Sequence, residues 1–133
     1  MTTHARRLGQ RGEALACRAL LERGAQIIAR NVRTPYGELD IVARQGGVLV
    51  FVEVKARSSR TFGPPEESLT ATKQAHLIAS AQHFLAANQQ QEADWRIDVV
   101  AIEFGPGGET ARLEIIENAV RGDRPMAAQH VDA

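Results

Sequence analysis

The chain has little cysteine and no long hydrophobic run, and each shortage excludes a class of protein. Cys17 is the only cysteine among 133 residues, which excludes an internal disulfide and a cysteine-based zinc site. The longest apolar run is far shorter than the roughly 18 residues that a membrane-spanning helix needs, so no membrane partner is expected. The N-terminal residues lead into no hydrophobic signal region. A reducing cytoplasm is therefore the predicted location.

The length of the chain predicts one domain. A chain of 133 residues can bury a real core, but it is too short for two such cores. No internal repeat is present. The residues after position 120 are polar and offer little to bury. We therefore predict a single domain over residues 1–120 and a disordered tail over residues 121–133.

Hydrophobic periodicity predicts two helices and five strands in the order αβββαββ. The first helix is predicted over residues 8–23, before the stop signal Gly24, and the second over residues 71–88, with Thr70 as its N-cap. Residues 58–67 are predicted to form a loop. This order is typical of an α/β fold in which helices flank a mixed central β-sheet. The strands are predicted at residues 25–33, 37–42, 50–57, 95–102 and 111–116.

The second and third predicted strands form a hairpin that carries charge inside apolar runs. Because side chains alternate between the faces of a strand, Glu53 and Lys55 are expected to share one face. Charged groups in a buried strand cost free energy unless they are paired or bind a metal. The same alternation predicts Glu38, Asp40 and Val42 on one face of the second strand, against Leu39, Ile41 and Ala43 on the other.

A divalent metal site is the favoured interpretation of this hairpin. Mg²⁺ prefers oxygen ligands and needs only one or two carboxylates beside water and substrate phosphate. Asp40 and Glu53 are predicted to supply the carboxylates and Val54 a main-chain carbonyl, with Mn²⁺ as a substitute ion. Lys55, beside two acids, is expected to stay protonated and to orient water or stabilise charge on a phosphate. The reaction that suits such a set is phosphodiester hydrolysis, and a structural ion-pair network is the alternative.

Each predicted helix also carries a polar residue on the stripe that faces the sheet. Glu13 shares a stripe with Leu20, and Gln74 precedes Leu77 by one turn. Glu13 is predicted to join the acidic site, where it holds a second metal or a water. For Gln74, contact with the substrate or the lysine and a hydrogen bond to the backbone both stay open. Glu38 is either an accessory acid or the polar end of its strand.

The distribution of charge suggests an anionic partner. The formal net charge is zero, yet residues 1–60 hold eleven Lys/Arg against five Asp/Glu, and residues 61–133 hold five against eleven. Such asymmetry is typical of nucleic-acid binding, although mutual attraction of the two halves explains it equally well. Arg57, Arg60 and Lys73 are candidate contacts to DNA phosphates, or exposed cations without a partner.

The combination of these residues resembles a known group of enzymes. Asp40, Glu53 and Lys55 follow the pattern Asp-X(12)-Glu-X-Lys, and with Glu13 on a preceding helix they resemble the PD-(D/E)XK nuclease superfamily. Leu39 stands where the name motif has proline. More closely, the chain resembles the YraN-like bacterial family of predicted endonucleases, which are distantly similar to archaeal Holliday-junction resolvases. The matching segments are residues 12–13, 37–42, 50–57, 73–74 and 96–100.

This resemblance covers about residues 7–120 and carries implications for fold and activity. It implies a restriction-endonuclease-like core, with Asp40, Glu53 and Lys55 at catalytic positions and Glu13 at the resolvase-like helix position. It implies a Mg²⁺-dependent endodeoxyribonuclease, with branched or structured DNA as one candidate substrate. The alternatives are a non-catalytic nucleic-acid-binding module and, less favoured, a protein-interaction subunit. A homodimer would place two active sites on two strands.

Overall fold

Residues 4–120, which a computed structural model describes, contain two long helices, one 3-10 helix and five strands. The predicted order is confirmed, and the addition is the 3-10 helix Pro65–Ser68 inside the predicted loop. The predicted tail, residues 121–133, lies outside the described residues. The elements are α1 (His4–Glu22), β1 (Gln26–Thr34), β2 (Gly37–Gln45), β3 (Val48–Arg57), α2 (Ala71–Ala87), β4 (Trp95–Phe104) and β5 (Thr110–Val120).

The strands form one mixed sheet in the spatial order β1-β2-β3-β4-β5. All neighbouring strands are antiparallel except β3 and β4, which are parallel. A parallel pair needs a crossover connection, and α2 supplies it here. The predicted mixed sheet is therefore confirmed.

The sheet separates two hydrophobic cores, one under each helix. Side chains of α1 pack with Ile41, Ala43, Val50 and Val52 on one face. Side chains of α2 pack on the other face with a second set of strand residues, namely Leu39, Val42, Leu49, Phe51, Ile97 and Val99. The helices thus cover both faces of β2 and β3, which is why these strands are apolar nearly throughout.

One predicted alternation is wrong. Leu39 was expected on the face of Ile41, yet it packs under α2 with Val42, while Ile41 packs under α1. The alternation is interrupted at Asp40, where the pairing of β2 with β3 ends at Ile41 opposite Val52 although both strands continue beyond that pair. The two strands therefore separate next to Asp40.

Asp98 on β4 is a buried structural residue. Its carboxylate accepts hydrogen bonds from Arg96 Nε at 3.0 Å and from the main-chain nitrogen of Asn118 at 2.9 Å. The second bond spans the register shift between β4 and β5. Asp98 thus forms an ion pair with Arg96 on its own strand, and its bond to Asn118 links β4 to β5.

No helix in the part of the chain that the structure describes is long and apolar enough to cross a membrane.

Candidate active site

The separation of β2 from β3 creates the candidate site. Beyond the last strand pair, the main-chain nitrogen of Val54 donates a hydrogen bond of 2.8 Å to Asp40 Oδ2. A side chain thus replaces the backbone partner that β2 would have supplied. The N–H and C=O of one strand residue point to the same side, so the carbonyl of Val54 also faces this gap.

Asp40 and Glu53 meet in this gap as a hydrogen-bonded carboxyl pair. The pKa of Asp40 is raised to about 8, chiefly by burial and then by the charge of Glu53 and the hydrogen bond with it. The hydrogen bond from Val54 and the charge of Lys55 oppose this shift without cancelling it. The protonated form of Asp40 is therefore favoured at neutral pH.

Lys55 lies beside the pair on the face that alternation predicts. Its Nζ is 3.2 Å from Glu53 Oε2, and the two side chains are only 22% and 15% exposed. The ammonium is therefore held in position at the edge of the gap and partly shielded from solvent.

Glu13 reaches the same gap because α1 packs very closely on β3. A Cβ atom added at Gly12 would lie 3.0 Å from Ala56 Cβ and 3.5 Å from Val54 Cγ1, so a larger residue would have to push α1 and β3 slightly apart. The neighbouring Glu13 lines the groove, and its pKa is raised by burial and by the charge of Asp40. Glu13 therefore lies beside Asp40, Glu53 and Lys55 in the groove, where the helical spacing predicted it.

Asn31 on β1 is a site residue that the sequence did not reveal. With its amide nitrogen turned toward the acids, it donates to Glu13 Oε1 at 3.0 Å and to Glu38 Oε1 at 3.3 Å. Its φ of 53° is left-handed, a conformation in which asparagine is enriched. Arg30 Nη2 also lies 3.8 Å from Glu13 Oε1. Nothing in the local sequence marks Asn31, because its role depends on the packing of α1 against β1.

The gap opens into a groove of about 350 Å³ between α1, β3 and the start of α2. Seven of the predicted site residues line it, and Ser68 from the 3-10 helix is an addition that the sequence did not reveal. The lining residues are Gly9, Glu13, Asp40, Glu53, Val54, Lys55, Ala56, Arg57, Ser68 and Lys73.

Three predicted site residues do not line this groove. Glu38 lines a neighbouring cavity of about 800 Å³ and pairs with Arg33 at 3.8 Å. Gln74 is buried and its Nε2 donates to the carbonyl of Leu69 at 3.0 Å, which favours the backbone alternative. Arg60 is bound to Glu103, with Nε 2.6 Å from Oε1.

Arg57 and Lys73 differ from Arg60 in their surroundings. No carboxylate among the described residues lies within 4.0 Å of the Arg57 guanidinium or of the Lys73 ammonium. Lys73 Nζ has a weak contact of 3.5 Å with the carbonyl of Ser68. Both cations line the groove and are available to an anionic ligand.

Arg112 fixes the 3-10 helix to the sheet. It binds Glu66 of that helix at 2.8 Å and Glu103 of β4 at 2.9 Å. The hydrogen bonds from Arg60 and Arg112 hold the pKa of Glu103 down to about 2. This network places Ser68 at the groove, and its members are too far apart in sequence to be recognised as a motif.

The opposite charges of the two halves are only partly explained by mutual attraction. Within residues 4–120, the ion pairs that join a base of the first half to an acid of the second are Arg23–Glu117 and Arg60–Glu103. Most of the basic residues of the first half therefore have no partner in the acidic half.

The donor set of the groove fits a hard divalent cation with few protein ligands. The described residues contain no group of three or more His, Cys, Asp or Glu side chains placed to hold a metal ion. Asp40, Glu53 and Val54 all line the groove, and strand geometry turns the carbonyl of Val54 toward Asp40. Mg²⁺ binds through one or two carboxylates while it keeps several waters. A cation there would also displace the proton that the raised pKa of Asp40 favours.

Comparison with known proteins identifies the family. The model of the uncharacterised protein family UPF0102 matches residues 12–102. The chain belongs to UPF0102. This confirms the YraN-like assignment at the level of the family, and the matched range includes every groove residue except Gly9.

Members of UPF0102 align over nearly the whole chain. A UPF0102 protein of Symbiobacterium thermophilum is 47% identical over 114 residues, which cover 86% of this chain and 96% of the relative. One of Roseiflexus castenholzii is 47% identical over 121 residues, covering 90% and 98%. One of Moorella thermoacetica is 43% identical over 119 residues, covering 90% and 99%.

Proposed function

We propose that this protein is a Mg²⁺-dependent endonuclease of the PD-(D/E)XK superfamily that hydrolyses phosphodiester bonds of DNA. The observation that carries the proposal is the hydrogen-bonded pair of Asp40 and Glu53 at the point where β2 and β3 separate. At neutral pH and without a cation, holding two partly buried carboxyl groups together costs free energy. A site for a divalent ion gives this arrangement a purpose.

In this proposal Asp40, Glu53 and the carbonyl of Val54 hold Mg²⁺, and Mn²⁺ substitutes for it. The ion supplies Lewis acidity, which polarises the scissile phosphate and makes water a better nucleophile. Binding requires that Asp40 loses its proton, so affinity for the ion rises with pH up to the raised pKa of Asp40.

Lys55 stabilises the negative charge that builds up on the phosphate oxygens. Its ammonium is preorganised by Glu53 at 3.2 Å and is little exposed, so it needs no reorganisation during the reaction. Glu13, on the opposite wall of the groove, accepts a hydrogen bond from the attacking water or holds a second ion. Burial and the charge of Asp40 raise the pKa of Glu13, which suits a group that takes up a proton from water.

Arg57 and Lys73 position the DNA backbone. Both cations line the groove, and neither has a carboxylate partner among the described residues. Contacts of this kind fix the register of the strand over the site without reading its sequence. Arg60 is assigned a structural role because both Arg60 nitrogens that face Glu103 are already bound.

The test is cleavage of labelled DNA junctions, flaps and duplexes with Mg²⁺ or Mn²⁺. Wild type is expected to cut at least one of them, and Asp40→Asn and Glu53→Gln are expected to lose the activity. Glu117→Gln is the matched control, because Glu117 is an exposed acid that pairs with Arg23 outside the groove. Equal cleavage by wild type and Asp40→Asn would show that a contaminant is responsible.

A non-catalytic DNA-binding module is the second candidate. Arg57 and Lys73 favour it, because neither has a carboxylate partner among the described residues. It predicts DNA affinity that is the same with and without metal, no metal uptake by calorimetry, and no effect of Asp40→Asn. The endonuclease proposal instead predicts metal uptake by calorimetry and a clear effect of Asp40→Asn. The proposed homodimer is tested separately by sedimentation equilibrium.

A further inference from the structure

Phe62 is the most exposed large hydrophobic side chain among the described residues, with 86% of its surface accessible. Single exposed apolar residues are common on protein surfaces and need no function by themselves. The position of this one is the informative point, because it projects from the segment between β3 and the 3-10 helix.

A tight and anchored turn presents the ring. The main-chain nitrogen of Gly63 donates to the carbonyl of Arg60 at 2.9 Å, which closes a turn with Phe62 as its third residue. The guanidinium of Arg60 is bound to Glu103 through two hydrogen bonds of 2.6 and 2.8 Å. Gly63 has a φ of +90°, which suits glycine. The ring is therefore held out into solvent by a fixed turn.

Phe62 borders a second groove that adjoins the first. This second groove has a volume of about 310 Å³. Ala56 and Arg57 line both grooves, so the two grooves meet at these residues. The second groove combines an aromatic ring and aliphatic side chains with a cation and hydroxyl groups; its lining residues are Leu8, Ala56, Arg57, Ser58, Ser59, Phe62 and Gly63.

We propose that Phe62 is a stacking platform for an unpaired base next to the phosphate bound in the first groove. The inference rests on the proposed nuclease function and names its substrate class, which is nucleic acid with unpaired nucleotides. Aromatic side chains bind single strands by stacking on exposed bases, and neighbouring cations hold the backbone. Arg57 between the two grooves supplies that cation.

Base pairing decides which nucleic acids can use this surface. In an intact duplex both faces of every internal base are covered by neighbouring pairs, so a side chain has no free base to stack on. A single-stranded segment, a flap or a branch point offers such a base. Phe62 is therefore a specificity-determining residue that favours substrates with unpaired nucleotides over plain duplex.

The experiment measures binding of a fluorescein-labelled 15-nucleotide single strand and of a 15-base-pair duplex, with EDTA present so that no cleavage occurs. Phe62→Leu is expected to weaken binding of the single strand about tenfold, in line with the loss of one stacked base. It is expected to leave duplex binding within about twofold, since no base is free to stack. Tyr36→Leu is the matched control, because Tyr36 is an exposed aromatic residue outside both grooves.

A second variant detects the stacking itself. Phe62→Trp is expected to bind the single strand at least as tightly as wild type, and its added indole fluorescence is expected to be quenched by the oligonucleotide. Wild type, with Trp95 as its only indole, supplies the baseline. Quenching of this variant alone supports direct contact with a base.

Three results would overturn the proposal. They are equal single-strand affinity of wild type and Phe62→Leu, absence of single-strand binding by wild type, and a wild-type dimer that Phe62→Leu dissociates without a change in affinity. The last would assign the ring to a contact between copies of the chain. If wild type cleaves DNA in Mg²⁺ while one of these three results is found, the stacking proposal fails and the nuclease proposal is unaffected. If the single-strand measurements support stacking but wild type cleaves no DNA, the nuclease proposal fails and stacking by Phe62 is retained.

Discussion

Asp40 and Glu53 share a hydrogen bond although they lie on strands whose backbone pairing has already ended. Asp40 Oδ2 also takes the hydrogen bond of Val54 N, so the side chain bridges the gap that the backbone leaves. Strand separation thus creates a polar pocket inside an otherwise apolar sheet, with the oxygen donors on the hairpin and the cations around the rim.

The raised pKa of Asp40 predicts a specific dependence of stability on pH. The pKa rises from 3.8 to about 8 on folding, so the folded protein keeps a proton that the unfolded chain has lost between these values. The contribution to stability is full below pH 3.8 and is lost as pH rises toward 8. The unfolding free energy of wild type in EDTA is therefore expected to fall between pH 5 and pH 8 relative to that of Asp40→Asn.

The measurement is urea denaturation of both proteins at pH 5, 6, 7 and 8. One pKa unit corresponds to about 1.4 kcal/mol, so we expect the difference to change by at least about 1 kcal/mol over this interval. Asn keeps an oxygen for Val54 N but carries no charge, which makes it the matched replacement. A difference that is constant with pH would show that Asp40 ionises normally.

Removal of the ammonium beside the carboxyl pair is predicted to affect reaction rate more than metal binding. Lys55→Met keeps most of the side-chain length, while the charge that faces the phosphate is lost. Loss of a preorganised electrostatic contact typically lowers kcat about 100-fold. We expect a decrease of that size in the rate of single-turnover cleavage. We expect the affinity for Mn²⁺, measured by calorimetry, to be at least as high as in wild type. Unchanged single-turnover rates would contradict the role of Lys55.

Two glycines of α1 give a matched pair for testing how the helix docks. A methyl group at Gly12 would meet Ala56 Cβ at 3.0 Å, whereas one at Gly9 would meet nothing within 4 Å. Gly9→Ala is expected to raise the unfolding free energy by about 1 kcal/mol through helix propensity. Gly12→Ala is expected to lose about 1–3 kcal/mol because it over-packs the contact with β3. Thermal denaturation of both variants checks this, and equal stabilisation would mean that α1 is not tightly docked.

The two groove cations are predicted to contribute to DNA affinity through phosphates. Arg57→Gln and Lys73→Gln are each expected to weaken binding and to reduce the slope of log affinity against log salt by about 1. Arg60→Gln is the control, because its guanidinium is bound to Glu103. Binding isotherms at several salt concentrations measure the slopes. The assignment fails for any residue whose variant keeps the wild-type slope.

The elements and the central carboxylates were predictable because their signals are local. The Gly46-Gly47 turn and the alternation in β3 place Glu53 and Lys55 on one face from the sequence alone. The order of helices and strands was likewise predictable, because each element has its own hydrophobic periodicity.

The rest of the site depends on contacts that are distant in sequence. Leu39 was assigned to the wrong face because the separation of β2 from β3 is a tertiary feature. Arg112 and Glu66 are 46 residues apart, and their ion pair sets the position of Ser68. Asn31 joins the site only because Gly12 lets α1 approach the sheet. No single-sequence pattern encodes these relationships.

Anomalous diffraction from crystals soaked in Mn²⁺ tests the central claim most directly, because it requires no substrate. We predict one anomalous peak between the carboxylate oxygens of Asp40 and Glu53 and the carbonyl of Val54, and its absence in Asp40→Asn crystals soaked in the same way. A wild-type map with no peak at that position, or with the same peak in the Asp40→Asn crystals, would contradict the account.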